Sequence, residues 1–490
     1  MSFLPELVLS AGLLALFVVC LGEGRTRQAR QVAGGTAILF VGAVLLTFHR
    51  EALLFDGTYR VDLFTQVLKL VLGLGYGAVV LLSDALPDVR PDVRPEFHLF
   101  TAVCVAGLVT LVSCVDLVAL VVALELSSFP LYALVAMRQE AEQRRMQMEA
   151  AMKYMIFGIT ATGVMLFGMS YLFGLTGTTS LLEMPGRLEP WLGRPLVWAA
   201  LALTWAGLFY KLAVFPFHFW TPDVYQGAAH EVAGLVASLP KLGAAAVLVR
   251  LTALAMPESQ VLVGLLTALA VASMFYGNLI ALWQTDVKRL LGFSGIAHAG
   301  YAVAALVALN EAGYTAALYY MAGYLFMVLA CFVVVCGVAT DGANVSLADL
   351  AGLHRRAPLL MVTLLVGVFA LAGVPPFAGF MGKLAILKAL WAREQVLLAL
   401  LLVINSAIAA YYYLVLVREA CFREVAEGAP LRLSLGTKAL CIGLIGVIVG
   451  LGVAPGGVLQ AFSDGVVAVL KPAAEIPGWA GPQAGSALWP

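Results

Sequence analysis

Long apolar runs follow one another along almost the whole chain, and they constrain its fold more than any other feature of the sequence. A span across a lipid bilayer needs about 20 predominantly apolar residues, and runs of that size recur here with short connections between them. Hydrophobic residues make up 62% of the 490 residues and charged residues only 12%, whereas soluble domains carry about 25% charged residues. The solvent around this chain is therefore predicted to be lipid.

Fourteen runs are predicted to cross the membrane. They cover residues 3–21, 32–48, 61–84, 97–114, 115–137, 150–174, 195–220, 228–252, 258–283, 286–309, 312–339, 358–391, 396–420 and 437–470. Lipid offers backbone groups no hydrogen-bond partner, so each run is predicted to be a helix. The runs do not alternate with polar residues, which excludes a membrane β-barrel. The first run has no basic segment or cleavage site, so we expect a membrane helix and not a removed signal peptide.

Basic residues in the connections predict the orientation of the chain. Most of the loop arginines and lysines lie in odd-numbered connections, as Arg25, Arg138 and Arg355 do. Cytoplasmic loops carry an excess of Lys and Arg. The odd-numbered connections are therefore predicted to face the cytoplasm, with both termini on the other side of the membrane. The formal net charge is zero, which gives no indication of a nucleic-acid partner.

An internal repeat is also predicted. Residues 150–155 and 316–321 share two alanines, a tyrosine and a methionine at the same places. The pairs Tyr132/Tyr301 and Pro216-Phe217/Pro376-Phe377 flank this match in the same order. The predicted organisation is a three-helix segment at 1–96, five-helix repeats at 97–254 and 255–423, and a last helix with a tail at 424–490. Internal repeats with ion sites on broken helices are typical of transporters.

Prolines interrupt two of the runs at repeat-equivalent positions. Pro216 lies in span 7, and Pro375 and Pro376 lie in span 12. Proline removes a backbone donor and clashes with the preceding turn, and the freed carbonyls at membrane depth need another partner. Helices 7 and 12 are therefore predicted to be discontinuous. The alternative is a packed kink without a functional role.

Five ionisable residues lie deep inside the predicted spans, namely Glu125, Lys211, Lys241, His298 and Lys383. Glu125 lies ten residues into span 5, about 15 Å deep. A lysine at the bilayer centre costs about 2.5–3.5 kcal/mol, so these groups are predicted to face the bundle interior and to exchange protons. Movement of Glu125 toward or away from Lys211 would load or release a proton. The alternatives are purely structural ion pairs and, for His298, a buried imidazole bonded to a hydroxyl such as Ser294 or Tyr301.

Other polar residues are predicted to lie at the membrane interface or in solvent, without a part in transport. Lys69 and Lys388 are predicted to reach toward the membrane interface. His218, His230 and Glu231 are expected to be solvated around the connection between spans 7 and 8. Glu125 is the one carboxylate expected to be well buried, which disfavours a sodium site.

No metal or redox centre is expected in this chain. No metal-ligand spacing or nucleophile arrangement is present. The seven cysteines form no CxxC pair, and they are predicted to be small core residues.

Several stretches of the sequence resemble a known family. They are Val115-Asp116-Leu117 to Pro130-Leu131-Tyr132, Lys153-Tyr154, Lys211 to Tyr225 with Pro216-Phe217-His218, Asn278 to Tyr301 with Lys288-Arg289, and Gly373 to Lys383. They resemble the antiporter-like membrane subunits of NADH-quinone oxidoreductase (complex I). Lys383 and the short C-terminus resemble the subunit N branch more than subunits L and M. Relatives commonly have Thr-Pro after the turn between helices 7 and 8, where this chain has Ala229-His230-Glu231.

The resemblance implies an all-α membrane protein of about 14 transmembrane helices with two inverted five-helix repeats. It places the proton path on Glu125, Lys211, Lys241, His298 and Lys383. It also implies membrane partners of the M, K, J and L types, with FMN, iron–sulfur clusters and quinone in partner subunits and no cofactor in this chain. The expected location is the bacterial inner membrane, with both termini on the periplasmic side. The competing functions are an Mrp-type cation/proton antiporter, a non-pumping spacer, and the equivalent subunit of a related hydrogenase or dehydrogenase complex.

Overall fold

The computed structural model describes residues 1–22, 24–139, 144–254, 260–339, 341–423, 430–471 and 475–476. In these ranges helices account for nearly all regular structure, and one antiparallel hairpin joins β1 (Ala52–Leu54) to β2 (Tyr59–Val61). The first ten helices are α1 (Leu4–Cys20), α2 (Thr26–Leu46), α3 (Leu63–Leu82), α4 (Arg94–Ser113), α5 (Leu117–Ala136), α6 (Arg144–Thr176), α7 (Met184–Leu188), α8 (Pro195–Leu212), α9 (Thr221–Gly227) and α10 (His230–Thr252). The others are α11 (Gln260–Ala281), α12 (Val287–Leu306), α13 (Glu311–Val338), α14 (Leu353–Arg356), α15 (Pro358–Ala372), α16 (Ala378–Ala392), α17 (Val396–Phe422), α18 (Leu435–Val453) and α19 (Gly456–Leu470).

The helices bear out the predicted fold class. Among the described residues, 11 helices are long and apolar enough to cross a membrane, and three shorter apolar helices, α1, α15 and α19, accompany them. The chain is thus a multi-pass, all-α membrane protein. The count of fourteen spans, the two inverted repeats and the four domain boundaries stay predictions.

Polar side chains start several of the helices. Asp116 accepts hydrogen bonds from the backbone amides of Val118 and Ala119, and Asp62 and Asp286 cap α3 and α12 in the same way. These contacts satisfy amide groups that have no partner inside the helix. The caps fix where α3, α5 and α12 begin.

The first predicted break lies at the end of α8. The helix stops at Leu212, and Ala213 adopts a left-handed conformation with φ 66°. The indole of Trp220 donates to the carbonyl of Tyr210 at 3.0 Å, and the amide of Phe215 donates to the Ser273 hydroxyl at 2.9 Å. Backbone amide and carbonyl groups at the break are thus hydrogen-bonded to side chains, because lipid would offer them no partner.

The second predicted break separates α15 from α16. Helix α15 ends at Ala372, and Gly373 has a φ of 90°, a conformation that glycine adopts without a Cβ clash. Pro375 and Pro376 follow, and α16 begins at Ala378. The predicted spans 7 (195–220) and 12 (358–391) are therefore discontinuous at the prolines from which the breaks were predicted.

A third break lies in span 14, where the sequence analysis predicted one continuous run at 437–470. Helix α18 ends at Val453 and α19 begins at Gly456, with Pro455 between them. The Tyr319 hydroxyl donates to the Leu451 carbonyl. Gly452 lies directly against the Pro376 carbonyl, leaving no room for a side chain. The backbones of the breaks in spans 12 and 14 are therefore in contact.

Burial divides the helices into a centre and a periphery. Every residue of α10 is buried, and most of α12 and α13 is buried as well. The outer helices expose large apolar side chains, among them Leu14, Leu39 and Phe167. An apolar periphery suits lipid, and α10, α12 and α13 form the enclosed centre of the bundle.

Helices α4 and α5 approach closely at Gly107. A Cβ built there would lie 2.4 Å from the backbone nitrogen of Ser127. Ser127 is also a hydrogen-bond partner of Lys211. The close approach of α4 and α5 therefore fixes the position of a residue that contacts that lysine.

We expect Gly107→Ala to lower the thermal midpoint of the purified protein complex, because overpacking of a tight interface costs about 1–3 kcal/mol. Gly163→Ala is the matched control, since a Cβ at Gly163 meets nothing within 4 Å and alanine favours a helix over glycine. Equal midpoints for the two variants would contradict the packing argument.

Candidate functional site

Lys211 lies in the last turn of α8, just before the first break, and is only 5% exposed. Its ammonium donates to the hydroxyls of Ser127 and Ser128 and to the carbonyl of Leu124, at 3.3 Å from that oxygen. All three acceptors belong to α5 and are uncharged. The ammonium is therefore solvated by neutral oxygens inside the protein.

Glu125 is half-buried, not well buried as predicted. Its Oε1 accepts a hydrogen bond from Thr162 of α6 at 2.5 Å. Within the described ranges, no ion pair joins it to Lys211 across 4 Å or less. The carboxylate faces α6 while the ammonium faces the serines one turn away, so the two groups act on each other through space only.

Lys241 is fully buried in α10 and donates to the Gly295 carbonyl of α12 at 3.0 Å. The Tyr324 and Tyr225 rings lie 5.4 and 6.0 Å from its Nζ, measured to the ring centroids. The hydroxyls of these two tyrosines are buried, and neither has a hydrogen-bond partner in the described structure. Three polar groups thus converge on one small region between α10, α12 and α13.

His298 lies at the centre of α12 and hydrogen-bonds with two tyrosines. Its Nδ1 is 2.6 Å from the Tyr320 hydroxyl, and its Nε2 is 2.9 Å from the Tyr413 hydroxyl. Tyr413 also hydrogen-bonds with Ser294. Of the two partners predicted for His298, Ser294 is therefore reached through Tyr413, and Tyr301 makes an edge contact between rings.

Lys383 lies in α16, just after the second break, and is 5% exposed. Its ammonium donates to the carbonyls of Leu371 and Ala372 at 3.1 and 2.9 Å. These carbonyls end α15, where the helix dipole favours a cation. The Nζ also lies 4.8 Å from the ring centroid of Tyr301.

The predicted site residues form two groups. Glu125 and Lys211 lie together at α5 and α8, whereas Lys241, His298 and Lys383 lie around α10, α12 and α16 and act on one another electrostatically. Sequence reasoning missed the hydroxyls that hold these groups, on Ser127, Ser128, Tyr320, Tyr324 and Tyr413. Two signals were available: Tyr320 lies in the internal repeat, and Ser127 and Ser128 lie in the stretch 115–132 that resembles the family.

Two of the minor predictions are wrong. Lys69 does not reach the interface: it is fully buried and forms an ion pair with Glu6 at 2.6 Å. His218, His230 and Glu231 are all buried, not solvated. Because Glu6 and Glu231 are buried carboxylates, burial of carboxylates alone does not argue against sodium.

Asp223, in the connection between α8 and α10, joins an outer helix, α6, to a central one, α12. It pairs with Lys153 of α6 and Arg289 of α12, each at 2.7 Å. Burial raises the pKa of Asp223, but the hydrogen bonds from Lys153 and Arg289 outweigh burial, so its pKa lies below the ordinary value. The carboxylate stays charged and holds α6 against α12 beside the site.

The comparisons agree with this architecture. The family model described as "NADH:quinone oxidoreductase/Mrp antiporter, TM" matches residues 114–409. A bundle of membrane helices that this family model matches over more than half of its length is an antiporter-like, proton-translocating membrane subunit.

The relatives specify the branch. The chain is 58% identical to NADH-quinone oxidoreductase subunit N 2 of Opitutus terrae over 96% of this chain and 98% of the relative. It is 39% identical to the Syntrophobacter fumaroxidans protein of the same name over 96% and 99%. The chain therefore belongs to the NADH-quinone oxidoreductase subunit N family, as its motifs predicted.

Solved structures show the same fold. A chain of respiratory complex I from Thermus thermophilus with bound aureothin matches with a TM-score of 0.79 and 33% identity, covering 94% of this chain and 99% of that one. A chain of the Mrp complex from Dietzia sp. matches with a TM-score of 0.85 over 96% and 98%, at 20% identity. At that identity the second match shows the fold alone.

We expect Tyr413→Phe to slow proton translocation by a few-fold to about tenfold, because a hydrogen bond contributes about 0.5–1.5 kcal/mol. The variant removes one of the two hydroxyls that hold His298. Tyr411→Phe is the control, since Tyr411 is 63% exposed and lies two residues away. Dye-monitored proton uptake by the reconstituted complex measures the effect, and identical rates in both variants would contradict it.

Proposed function

We propose that this chain moves protons through the buried groups Lys211, Lys241, His298 and Lys383, driven by quinone reduction elsewhere in a respiratory NADH:quinone oxidoreductase. One observation carries the proposal. In the part of the chain that the structure describes, none of the three lysines forms an ion pair with a carboxylate, and each ammonium rests on neutral oxygens.

Neutral partners allow a buried lysine to gain and lose a proton, whereas a buried ion pair keeps both of its members charged. An ammonium beside a carboxylate keeps its proton, whereas burial without a counter-ion favours the neutral amine. Lys69 shows the contrast inside the same chain, since Glu6 pairs with it directly. The lysines of the site are thus suited to accept and release protons, and Lys69 is suited to a structural role.

Glu125 is proposed to modulate Lys211 through its charge. It lies one turn from Ser128, which accepts from the ammonium, and its half-exposed side chain can change partners at the edge of the bundle. Protonation of Glu125 would remove the negative charge that favours the charged form of Lys211.

The site favours protons over sodium as the transported ion. Three lysines and a histidine line the proposed route, and each of these side chains repels Na⁺ whenever it carries a proton. A proton avoids this repulsion because it is carried as the charge of the side chain itself.

Electron transfer is proposed to lie in partner subunits. In the described ranges, no three His, Cys, Asp or Glu side chains come close enough together to hold a metal ion. FMN, iron–sulfur clusters and quinone are thus assigned to partners, and membrane subunits of the M, K, J and L types are the proposed neighbours. The odd-numbered connections are proposed to face the cytoplasm, with both termini on the opposite side.

We expect Lys211→Ala to abolish coupled proton translocation while the protein still inserts and assembles. Alanine removes the ammonium but leaves the Ser127 and Ser128 hydroxyls able to bond to their own helix carbonyl. Lys438→Ala is the control, since Lys438 is exposed. The measurement is proton uptake per NADH oxidised in proteoliposomes, and full uptake by the Lys211 variant would refute the proposal.

A further inference from the structure

A buried charged cluster lies where α10 and α12 begin, on the face that carries the odd-numbered connections. We call it the odd-face cluster, and it consists of Asp88, Arg138, His230, Glu231 and Lys288. Asp88 Oδ2 lies 3.5 Å from Arg138 Nε and accepts from the backbone amide of His230 at 3.2 Å. Lys288 donates to the Ala228 carbonyl at 2.7 Å. Asp88, Glu231 and Lys288 are each at most 2% exposed.

Two carboxyl groups lie close together inside this cluster. Asp88 Oδ2 accepts from the backbone amide of His230, the residue before Glu231. Asp88 Oδ1 and Glu231 Oε2 are both buried and receive no hydrogen from any described protein donor. Two adjacent carboxylates cannot bond to each other unless one of them carries a proton. One proton held between Asp88 and Glu231 satisfies both oxygens.

The electrostatic surroundings are consistent with such a shared proton. Burial raises the pKa of Asp88, while Lys288 and Arg138 act in the opposite direction. Each packed element contributes a charged or titratable group. They are Asp84 after α3, Arg138 after α5, His230 on α10, Lys288 on α12, Cys336 on α13 and Arg432 before α18.

A cavity connects Glu231 with the odd face. It has a volume of about 210 Å³, and its lining includes Asp84, Glu231, Arg432, Ser434 and Thr437. Arg432 and Ser434 are exposed, so the polar end of the cavity opens toward that face. Glu231 is thus buried within the protein fold but lies at the inner wall of a polar opening.

The same two helices lead inward to the candidate site. Lys241 follows Glu231 by ten residues on α10, and His298 follows Lys288 by ten residues on α12, about 15 Å in each case. The two helices are joined at that depth by the bond from Lys241 to the Gly295 carbonyl. The cluster therefore lies between the cavity and the central groups.

We propose that Asp88 and Glu231 form the proton-loading site of this chain, holding one proton that enters through the odd-face cavity and leaves toward Lys241. On release, the pair becomes doubly ionised beside Lys288 and Arg138 and is then reprotonated from the cavity. The proposal rests on the proposed function of the central lysines. It gives a role to the segment 229–231, where this chain has Ala-His-Glu and the family resemblance leads one to expect Thr-Pro.

We expect Glu231→Gln to slow proton translocation by the intact reconstituted complex at least about tenfold, the scale of a lost proton-transfer group. Glutamine keeps the size and can donate to Asp88, but it cannot carry the proton. The infrared band of a protonated carboxyl at neutral pH should disappear as well. Glu231→Asp should restore part of both signals. Glu149→Gln is the matched control, because this carboxylate is 62% exposed at the start of α6.

A second measurement avoids any change in the cluster itself. Cys336 also lines the cavity, so the test uses a Cys336→Ser background. There Thr437→Cys places a thiol in the lining, and a bulky maleimide attached to it should block translocation, whereas the reagent should leave Cys336→Ser alone unaffected. Unchanged rates in labelled Thr437→Cys, or wild-type rates with an intact carboxyl band in Glu231→Gln, would each overturn the proposal. Lys241→Ala distinguishes a failure of the loading-site proposal from a failure of the proposed function. If it abolishes translocation while Glu231→Gln does not, only the loading site fails; if it pumps fully, the proposed function fails.

Discussion

An ammonium group enclosed by protein without a carboxylate beside it is the constraint on which this structure depends. Desolvation of such a charge is costly, so the fold must supply oxygens that are neutral and correctly placed. For Lys383 these are the carbonyls of Leu371 and Ala372, left free where α15 ends. For Lys241 the oxygen is the Gly295 carbonyl. The helix break at Lys383 is therefore part of the site, because an unbroken helix would keep those carbonyls for itself.

The arrangement of the helices follows from the same constraint. A polar group that faces lipid has no hydrogen-bond partner, so polar groups lie where neighbouring helices enclose them on all sides. Helix α10 is enclosed in this way along its whole length. The tyrosines of α13 and α17 extend this polar interior around His298. The lipid-facing helices contribute apolar surface, so the three lysines and His298 lie inside the bundle, and only Glu125 of the proposed groups reaches its edge.

Much of this could be predicted from the sequence, because membrane insertion imposes simple rules. The predicted run 61–84 corresponds to Leu63–Leu82 and the run 228–252 to His230–Thr252, since apolar length alone defines a span. Prolines located the breaks in spans 7 and 12, because a missing amide is a local property. Charges in apolar runs singled out the lysines for the same reason.

Partners could not be predicted, because they come from distant parts of the chain. Nothing near Lys69 in sequence indicates that Glu6 pairs with it, and the hydroxyl of Tyr413 reaches His298 from another helix. The half-burial of Glu125 depends on how α5 packs against α6. A helix that is apolar on all sides has no periodic pattern from which the packed side could be predicted. Glu231 was placed in solvent because the fold of the connections around it was unknown.

The contact between Gly452 and the Pro376 carbonyl has a mechanical consequence. The backbones of two interrupted helices touch at Gly452 without a side chain between them, so neither can shift toward the other there. A tilt of α16, which carries Lys383, would therefore displace α18 as well. Much of α18 is exposed, so a protein packed against it would be displaced together with a buried ammonium.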